Sequence, residues 1–517
     1  MVEKTVQEIN QKIKDGSVHV VTAEQMTEIV EELGPKDAAR EVDVVTTGTF
    51  GAMCSSGAFL NFGHSDPPIK MQKVWMNDVE AYAGLAAVDA YIGATQLSKS
   101  RGMEYGGGHV IDDLVSRKSV HTRAVAYGTD CYPRKNIETT ITIDDLNQAT
   151  MLNPRNAYQR YNVATNSSDR TLYTYMDTLL PNCGNATYSG AGVLSPLYND
   201  PNFETIGVGS KIFLCGALGH IIGEGTQHEP QNGLGTLMVT GNLKEMSREF
   251  LRGATFYGYG TSLYVGLGIP IPILNENIAK KTGISDADII TNVLDYSHPR
   301  RTRPTLRKVS YEELKSGVIE LDGKEVRTSS VSSFFMARKV ASTLKHWIEN
   351  GEFMISQPIE KLPTDTIFRP MKQIDESLLV KDVMSRKMTT IRKGKSVEDA
   401  AKLIMKGKST HLPVISEDDR LIGIITAWDI SKAVAKSKYD KLDRTMTRRV
   451  ITATLDEPIE VTARKLEKYN ISALPVIDKN RKVVGMITSD DISKLIAKRK
   501  GIVTTSNPKI KKVKGRT

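Results

Sequence analysis

An internal repeat near the C-terminus constrains this chain more than any other feature of its sequence. Three short motifs recur in pairs: DVMSRKM at 382 and RTMTRRV at 444, HLPV at 411 and ALPV at 473, and GIIT at 423 and GMIT at 485. One offset, 62 positions (444 − 382), shared by three motifs indicates two copies of one structural unit. Within each copy the apolar pattern predicts a short strand, a helix, two strands and a second helix.

These two copies resemble tandem cystathionine-β-synthase (CBS) domains, the first over residues 378–438 and the second over 439–500. The resemblance implies a pair of βαββα domains with nucleotide clefts between them. It also implies a homodimer, because CBS pairs commonly associate with each other. An adenosyl ligand is therefore expected: S-adenosylmethionine, methylthioadenosine or an adenine nucleotide.

The resemblance assigns four residues to this ligand. Thr426 with Asp429, and Thr488 with Asp491, would contact its phosphate and ribose, because a carboxylate at a helix start can accept both ribose hydroxyls. An alternative remains open, since Thr and Asp are common helix N-caps. Each Asp would then cap its own helix, and one or both clefts would be empty.

The first 356 residues predict a large mixed α/β domain, because strand-like runs alternate with helical patterns. The linker is expected at 357–377, and a basic tail at 501–517. We expect a hairpin that turns at Asp322 and Gly323, and loop-rich structure over 253–272. The predicted elements are strands at 18–21, 42–46, 124–127, 211–215 and 237–239, and helices at 23–33, 77–91 and 332–349.

Composition excludes several classes of protein. No apolar window approaches the roughly 18–20 residues of a membrane span, and the N-terminus does not resemble a secretory signal, so we predict a cytoplasmic location and no membrane partner. The net charge of +9 is concentrated in residues 300–308 and in the tail. Neither segment carries a nucleic-acid motif, so no nucleic-acid partner is expected. Four widely spaced cysteines predict reduced thiols and no metal site.

Two of these cysteines follow strand-like runs on glycine-containing turns. Cys54 lies in TTGTFGAMCSSG (46–57) and Cys131 in YGTDCYP (127–133). Ligands of α/β sheets collect beyond strand ends, and the nearby cations Arg134 and Lys135 would favour a Cys131 thiolate. The alternative is that both thiols are buried filler, since cysteine is among the most buried residue types.

The other two cysteines predict structure rather than chemistry. Cys215 lies in an apolar run and is expected in the core, and Cys183 is expected as an exposed turn thiol. The GGGH run at 106–109 could bring backbone N–H groups to an anion, with His109 or His121 as acid or base. The alternative is a tight turn with a surface histidine.

Four segments together resemble the homocysteine-biosynthesis family of methanogenic archaea, in its form fused to a CBS pair. They are the N-terminal MVEKTVQEINQKIKDG, and TTGTFGAMCSSG, GGGH and YGTDCYP. The resemblance implies a sulfurtransferase that forms L-homocysteine from L-aspartate 4-semialdehyde, sulfide and reducing electrons. A ferredoxin-type iron–sulfur protein is the implied electron donor. No cofactor is expected to be tightly bound in the catalytic domain.

Such a reaction suits a pair of thiols. As a hypothesis, Cys131 carries a persulfide that attacks the aldehyde, and Cys54 resolves the adduct or relays sulfur. Arg134 and Lys135 would hold the substrate carboxylate, and His109 would serve as an acid near the developing alkoxide.

Two alternatives come from other classes. The chain could be a non-enzymatic adenosyl-ligand sensor that acts through its CBS pair. It could also be a relative of inosine-monophosphate dehydrogenase, which uses a loop cysteine. The C-terminal position of the repeats and the missing phosphate loops disfavour that second alternative.

Overall fold

The computed structural model describes residues 3–371, 378–407, 409–436 and 441–499. The chain divides into two compact units, Met1–Arg369 and Pro370–Thr517. Each unit has hydrophobic clusters of its own. Among the described residues, no helix combines the length and the apolar character that crossing a membrane requires.

The first unit contains most of the strands and seven α-helices. Its helices are α1 (Val6–Asp15), α2 (Ala23–Glu41), α3 (Gly107–Val115), α4 (Pro196–Asn199), α5 (Glu276–Thr282), α6 (Tyr311–Lys315) and α7 (Phe334–Glu349). Its strands are β1 (Val20–Thr22), β2 (Val44–Thr46), β3 (Thr49–Ala52), β4 (Gly57–Asn61), β5 (Lys73–Met76), β6 (Val79–Ala81), β7 (Asp89–Gly93), β8 (Leu97–Ser98), β9 (Gly102–Gly106), β10 (Val120–Val125), β11 (Asn136–Ile141), β12 (Gln148–Asn156), β13 (Val163–Thr165), β14 (Leu172–Thr174), β15 (Asp177–Leu179), β16 (Ala186–Tyr188), β17 (Gly207–Val208), β18 (Lys211–Leu214), β19 (Ala217–Glu224), β20 (Leu237–Asn242), β21 (Leu251–Phe256), β22 (Gly260–Gly268), β23 (Pro270–Pro272), β24 (Ile290–Asp295), β25 (Thr305–Ser310), β26 (Val318–Leu321), β27 (Lys324–Ser330) and β28 (Glu360–Lys361).

Local sequence explains where several of these elements begin and end. A reciprocal pair of hydrogen bonds between Thr5 and Glu8 starts α1, which buries Ile9 and Ile13 on one face. The helix predicted at 23–33 is confirmed as the first part of α2, and the break follows at Gly34, whose φ is 76°. The predicted strands are confirmed as β1, β2, β10, β18 and β20, and the closing helix as α7.

Antiparallel sheets dominate this unit. The largest has the order β21-β22-β18-β19-β20-β12-β4-β7, with β3 paired to β22. Two six-stranded sheets have the orders β11-β10-β5-β6-β8-β9 and β25-β24-β13-β16-β27-β26. Parallel strand pairs here are β1 with β2, β13 with β24 and β16 with β27, and an isolated parallel bridge joins Ile69 and Arg134. The mixed α/β class is confirmed, and the hairpin at Asp322 and Gly323 joins β26 to β27 as predicted.

Two local predictions were wrong. The helix expected at 77–91 is instead β6 and β7, because Asn77 and Asp78 adopt positive φ values of 46° and 65° and turn the chain directly from β5 into β6. The loops expected over 253–272 are largely strands β21, β22 and β23. Glycine there allows close packing rather than flexibility: a Cβ on Gly268 would lie 2.9 Å from the Val340 side chain of α7.

The second unit consists of the two repeats. The first contains α8 (Val380–Val383), β29 (Ile391–Arg392), α9 (Val397–Gly407), β30 (His411–Ile415), β31 (Leu421–Thr426) and α10 (Ala427–Ala435), and the second contains α11 (Leu442–Thr445), β32 (Ala453–Thr454), α12 (Ile459–Tyr469), β33 (Ala473–Ile477), β34 (Val483–Thr488) and α13 (Ser489–Arg499). Both sheets pair first in parallel and then antiparallel, and both carry a register shift at the same place. The βαββα pair is therefore confirmed.

The segment that connects the first unit to the pair of repeats begins inside the first unit. β28 pairs with β17, and Leu362 is buried. The expected linker over 357–377 thus starts with residues that pack against the first unit, and its last six residues lie outside the described residues. The predicted basic tail (501–517) and the predicted boundary between the two CBS domains (438/439) also lie outside the described residues.

Candidate functional site

Cys54 lies in a four-residue turn that joins two parts of the largest sheet. The Ser56 N–H donates to the Met53 carbonyl at 3.0 Å and closes this turn. On one side β3 pairs with β22, and on the other side β4 pairs with β12 and β7. Because only four residues separate β3 from β4, the turn brings β22 and β12 together around the thiol.

The Cys54 thiol contacts polar and aromatic side chains contributed by distant strands. Its Sγ lies 3.1 Å from Oγ of Ser262, a fully buried residue of β22. Burial and the neighbouring Cys54 thiol raise the pKa of Tyr259 to about 12. Tyr175 packs on Tyr259, with ring centroids 6.1 Å apart, and shares a 2.8 Å hydrogen bond with Tyr296. The Tyr259 phenol therefore stays protonated at neutral pH and can donate a hydrogen bond.

A bulge in β12 supplies the other wall of the Cys54 turn. Ser55 Oγ lies 3.4 Å from Oδ1 of Asn153 and 3.3 Å from the Arg155 carbonyl. Four side-chain atoms in these two segments are buried without a hydrogen-bond partner: Ser56 Oγ, Asn153 Nδ2, Arg155 Nε and Asn156 Nδ2. Sequence reasoning missed this group. Its available signal was the proline in NPRN (153–156), since proline inside a strand marks a bulge or an edge.

Cys131 has different surroundings. It is exposed, and its Sγ lies 3.9 Å from Oγ1 of Thr129 in a small loop held by backbone hydrogen bonds between Thr129 and Tyr132. The Tyr132 ring stacks on His64 with centroids 5.8 Å apart. The Arg134 guanidinium donates to the backbone carbonyls of residues 66 and 67.

The Lys135 side chain packs against the same loop. A Cβ on Gly128 would lie 2.8 Å from Cε of Lys135, so the lysine side chain covers that glycine. The roles predicted for Arg134 and Lys135 in substrate binding stay predictions. In this structure the Arg134 guanidinium is engaged by backbone carbonyls.

The structure does not bring the two thiols together. Cys54 lies immediately before β4, whereas the Cys131 loop contacts residues 64–67, which follow β4. A five-residue strand spans about 17 Å, because each residue rises about 3.4 Å. Within the described chain, the Cys54 thiol contacts Ser262 and Tyr259, and the Cys131 thiol contacts Thr129.

The glycine run positions α3 rather than an anion. The N–H groups of Gly107 and Gly108 donate to the Gln96 and Ala94 carbonyls at 2.8 and 2.9 Å. A Cβ on Gly108 would lie 2.2 Å from the Ser262 carbonyl oxygen, so only glycine allows α3 to pack directly behind Ser262. The predicted anion cradle is therefore wrong for these two N–H groups, because carbonyls of the turn between β7 and β8 already accept from them.

The histidine candidates differ in burial. His109 is half-buried, its Nδ1 accepts from the Gly106 N–H at 3.2 Å, and its ring stacks on Tyr105. Burial lowers the pKa of His109, so its neutral form is favoured. His121 is exposed, and its Nε2 lies 2.9 Å from Oε1 of Glu138.

The remaining cysteines show the difference between a structural and a chemical thiol. Cys215 is fully buried, and burial raises its pKa to about 12, so the predicted core role is confirmed. Cys183 lies in a turn, as predicted, but is half-buried. Among the described residues, no group of three or more His, Cys, Asp or Glu side chains is arranged to hold a metal ion.

A cleft of about 560 Å³ lies between the two repeats of the second unit. Thr426 lines it, and its N–H and Oγ1 both donate to Oδ2 of Asp429, at 3.0 and 2.7 Å. Thr488 and Asp491 form the same arrangement with the same distances. Each Asp thus caps its own helix through one oxygen. The cleft is lined by Thr410, His411, Thr426, Ala427, Trp428, Asn470, Ile471, Ser472 and Ser489.

The two halves of this cleft are not equivalent. Trp428 is 68% exposed and presents a flat ring, whereas the corresponding position of the second repeat, 62 residues later, is Asp490. His411 Nε2 lies 3.2 Å from Ser472 Oγ and joins the two repeats. Burial lowers the pKa of His411.

Comparison with known proteins agrees with this two-part organisation. Residues 18–355 match a family described as homocysteine biosynthesis enzyme, sulfur-incorporation, and residues 380–436 and 441–498 match the CBS domain. A protein of Methanosarcina acetivorans named L-aspartate semialdehyde sulfurtransferase is 60% identical over 96% of this chain and all of its own length. A Methanocaldococcus jannaschii protein of the same name is 53% identical over 97% of this chain and all of its own length.

A solved structure also resembles the second unit in sequence. It is a crystal structure of a CBS domain pair in complex with 5′-methylthioadenosine and S-adenosyl-L-methionine, 47% identical, covering 24% of this chain and 98% of that chain with a TM-score of 0.23. The family match covers well over half of the chain, and the sulfurtransferase relatives cover it almost completely. The chain belongs to the family of sulfur-incorporating homocysteine biosynthesis enzymes, in a form that carries a C-terminal CBS pair.

Proposed function

We propose that this chain forms L-homocysteine from L-aspartate 4-semialdehyde and sulfide, and that the reaction takes place at the Cys54 turn. The observation that carries the proposal is a half-buried thiol held between the Ser262 hydroxyl, the Tyr259 phenol and unpartnered polar groups of β12. The family and the relatives' names support the substrate and the product. The net reaction is aldehyde plus hydrogen sulfide plus two electrons and two protons, giving thiol plus water.

The first steps use a cysteine pair. Sulfide attacks a Cys54–Cys131 disulfide, so that the S–S bond breaks, a new S–S bond forms, and a Cys54 persulfide and a Cys131 thiol result. The terminal sulfur of the persulfide adds to the aldehyde carbon, and the carbonyl oxygen takes a proton to become a hydroxyl. Tyr259 is a suitable hydrogen-bond donor for the developing alkoxide because its raised pKa keeps it protonated.

The next steps release the product. The Cys131 thiolate attacks Sγ of Cys54, regenerates the disulfide and frees the carbon-bound sulfur as a hemithioacetal. Two electrons and two protons then replace its hydroxyl group by hydrogen, and water leaves. A low-potential iron–sulfur protein of the ferredoxin class is the proposed electron donor. The exposed Cys131 loop has to approach Cys54, within one chain or between two chains of the proposed homodimer.

This assignment reverses the roles that the sequence alone suggested for the two thiols. Cys54 carries the persulfide because the unpartnered polar groups lie beside it, and Cys131 resolves because it is exposed.

Anaerobic homocysteine production tests the proposed reaction. Wild type, Cys54→Ser and Cys131→Ser are incubated with the aldehyde, sulfide and a strong reductant, with Cys183→Ser as the matched cysteine control. We expect turnover to be lost in the first two variants and kept in the control. Equal turnover in all four proteins would exclude chemistry at Cys54 and Cys131, and no turnover by wild type would favour the adenosyl-sensor alternative.

We further propose that the cleft of the CBS pair binds an adenosyl ligand that regulates this reaction. The Trp428 ring can stack on adenine, and the second oxygen of Asp429 is available for ribose, since the cap uses only Oδ2. Calorimetric titration with methylthioadenosine, S-adenosylmethionine and AMP should show binding that Trp428→Ala weakens at least tenfold. Unchanged binding by Trp428→Ala, or no binding by wild type, would contradict this part of the proposal.

A further inference from the structure

The unpartnered polar atoms around Cys54 are concentrated in two short segments. Within the described chain, ten buried side-chain N or O atoms lack a hydrogen-bond partner, and four of them lie in residues 54–56 and 153–156. Ser56, Asn153 and Asn156 are each at most 1% exposed. Leaving a buried polar group unpaired is costly, so such a concentration indicates a site that a ligand completes.

Existing hydrogen bonds fix what these groups offer to a ligand. Oδ1 of Asn153 accepts from the Arg155 N–H at 3.2 Å, and Oδ1 of Asn156 accepts from the Ala157 N–H at 2.7 Å. Each amide is thereby oriented, and each leaves its amide nitrogen unpaired. With Nε–H of Arg155, the unpaired atoms on β12 are all hydrogen-bond donors.

The bulge turns the two amides towards the same side of the sheet. In the ladder with β20, Asn153 lies opposite Val239 and Asn156 opposite Leu237, so three steps along β12 match two along β20. Side chains alternate along a strand, and the extra residue restores Asn156 to the face that Asn153 occupies. Both are fully buried on that face.

Charge selects the kind of ligand. Among the described residues, Arg155 has no carboxylate partner within ion-pair distance, unlike Arg248 and Arg338, which pair with Asp112 and Glu24. A guanidinium without a carboxylate partner, close in the chain to two donor amides, suits an anion with two oxygens, because Arg binds carboxylates in a bidentate manner. The Arg155 side chain is hydrogen-bonded to the Tyr158 phenol, and its Nε–H remains without a partner. The Ser55 hydroxyl, next to Cys54 in the chain, donates to Oδ1 of Asn153 and to the Arg155 backbone carbonyl and so ties this part of β12 to the Cys54 turn.

We propose that Arg155, Asn153 and Asn156 bind the α-carboxylate of the amino-acid substrate and so place its aldehyde carbon at the Cys54 sulfur. This inference rests on the proposed function, since it names the substrate-binding part of the same site. It assigns the carboxylate to Arg155, which is 24 residues after Cys131 (155 − 131). It does not assign the carboxylate to Arg134, the arginine close to Cys131 in the sequence.

Binding of an unreactive analogue tests this assignment on the full-length reduced protein. L-Homoserine keeps the α-amino and α-carboxylate groups but carries an alcohol in place of the aldehyde, and 3-amino-1-propanol lacks the carboxylate. We expect calorimetry to show wild type binding homoserine at least tenfold more tightly than 3-amino-1-propanol. Arg155→Met should remove that preference, and Arg155→Lys should restore part of it.

Asn156→Asp is the second variant, because it keeps the oxygen that accepts from the Ala157 N–H and replaces only the donor amide nitrogen. The added carboxylate should weaken homoserine binding at least tenfold and leave 3-amino-1-propanol binding unchanged. Arg252→Met, an exposed arginine on β21, is the matched control and should bind both compounds as wild type does. In the reaction, the KM for the aldehyde should rise at least tenfold in Arg155→Met, while the KM for sulfide stays the same.

The outcomes separate this inference from the function on which it rests. If wild type makes homocysteine but Arg155→Met and Asn156→Asp keep the carboxylate preference, the assignment is overturned and the function stands. If the preference depends on Arg155 but wild type makes no homocysteine, the carboxylate site stands and the proposed reaction fails.

Discussion

The Cys54 turn and the Cys131 loop look alike in sequence but differ in structure. Each places a cysteine beside glycines after a strand-like run. In three dimensions, Cys54 is held between β22 and β12 and contacts Ser262, which is 208 positions away. Cys131 is exposed, and its partner Thr129 is two positions away.

This difference shows why sequence proximity is a poor guide to a site. Arg134 and Lys135 follow Cys131 directly, yet the Arg134 guanidinium donates to backbone carbonyls of residues 66 and 67. The groups that surround Cys54 come from strands far along the chain. A site assembled by long-range packing suits a persulfide carrier, and an exposed thiol suits a resolving role.

The largest expected difference between the two regions is in their tolerance of a single methyl group. Gly108→Ala should destabilise the protein by about 3 kcal/mol or more, because the new Cβ would lie 2.2 Å from the Ser262 carbonyl oxygen. In an unhindered helix the same change would stabilise by up to about 1 kcal/mol. Gly128→Ala in the Cys131 loop, where φ is 78° and the nearest atoms belong to the Lys135 side chain, should cost about 1–2 kcal/mol.

Denaturant unfolding of the full chain measures both variants. Similar stability of Gly108→Ala and Gly128→Ala would contradict the view that α3 holds Ser262 by close backbone packing.

Thiol accessibility should separate the two regions by at least tenfold. Cys131 is exposed and Cys54 is half-buried, so a bulky maleimide should modify Cys131 first. Peptide mass spectrometry after timed labelling gives both rates, and the fully buried Cys215 serves as the unreactive reference. Faster labelling of Cys54 than of Cys131 would contradict the difference in exposure between the two thiols.

Removing one hydroxyl should have a smaller effect. Ser262→Ala deletes the partner of the Cys54 thiol, and we expect homocysteine formation to fall about tenfold, which corresponds to about 1.4 kcal/mol. Thr129→Ala removes the more distant partner of Cys131 and should reduce the rate less. Steady-state rates at saturating sulfide provide the measurement, and the opposite order would show that the Cys131 loop, not the Cys54 turn, controls the chemistry.

The smallest expected effect is a pH dependence of stability from His109, behind the Cys54 turn. Its pKa is lowered by burial, so the unfolded chain binds the proton more readily than the folded chain. The contribution of His109 is present above its unfolded pKa of about 6.5 and is lost as the pH falls from there through the lowered folded pKa. Unfolding free energies at pH 7.5 and 5.5 should therefore differ less in His109→Gln than in wild type; an equal difference would contradict the assigned neutral form.

Patterns local in sequence predicted the fold well. The repeat offset predicted the βαββα pair, and Asp322 with Gly323 predicted the turn between β26 and β27. The helix expected at 77–91 failed because its apolar residues alternate: Val79 and Ala81 are buried on either side of Glu80, which is the period of a strand.

Patterns that depend on tertiary contacts were not predictable. The thiols were identified from their turns, but Ser262, Asn153 and Arg155 meet the Cys54 turn only through strand pairing. Whether a buried donor lacks a partner is a property of the packed structure, and no residue pattern records it. The proline in NPRN signals the bulge but not the donors that the bulge exposes to a ligand.

Persulfide mapping on the two single-cysteine variants tests the central claim, that the aldehyde reacts at Cys54. Cys131→Ser and Cys54→Ser are loaded anaerobically with inorganic polysulfide. The persulfide on each cysteine peptide is quantified by alkylation and mass spectrometry before and after addition of L-aspartate 4-semialdehyde. L-Homoserine is the unreactive control. The account predicts that the aldehyde consumes the Cys54 persulfide of Cys131→Ser and leaves the Cys131 persulfide of Cys54→Ser intact. Consumption of the Cys131 persulfide alone would contradict it and move the substrate to the exposed loop.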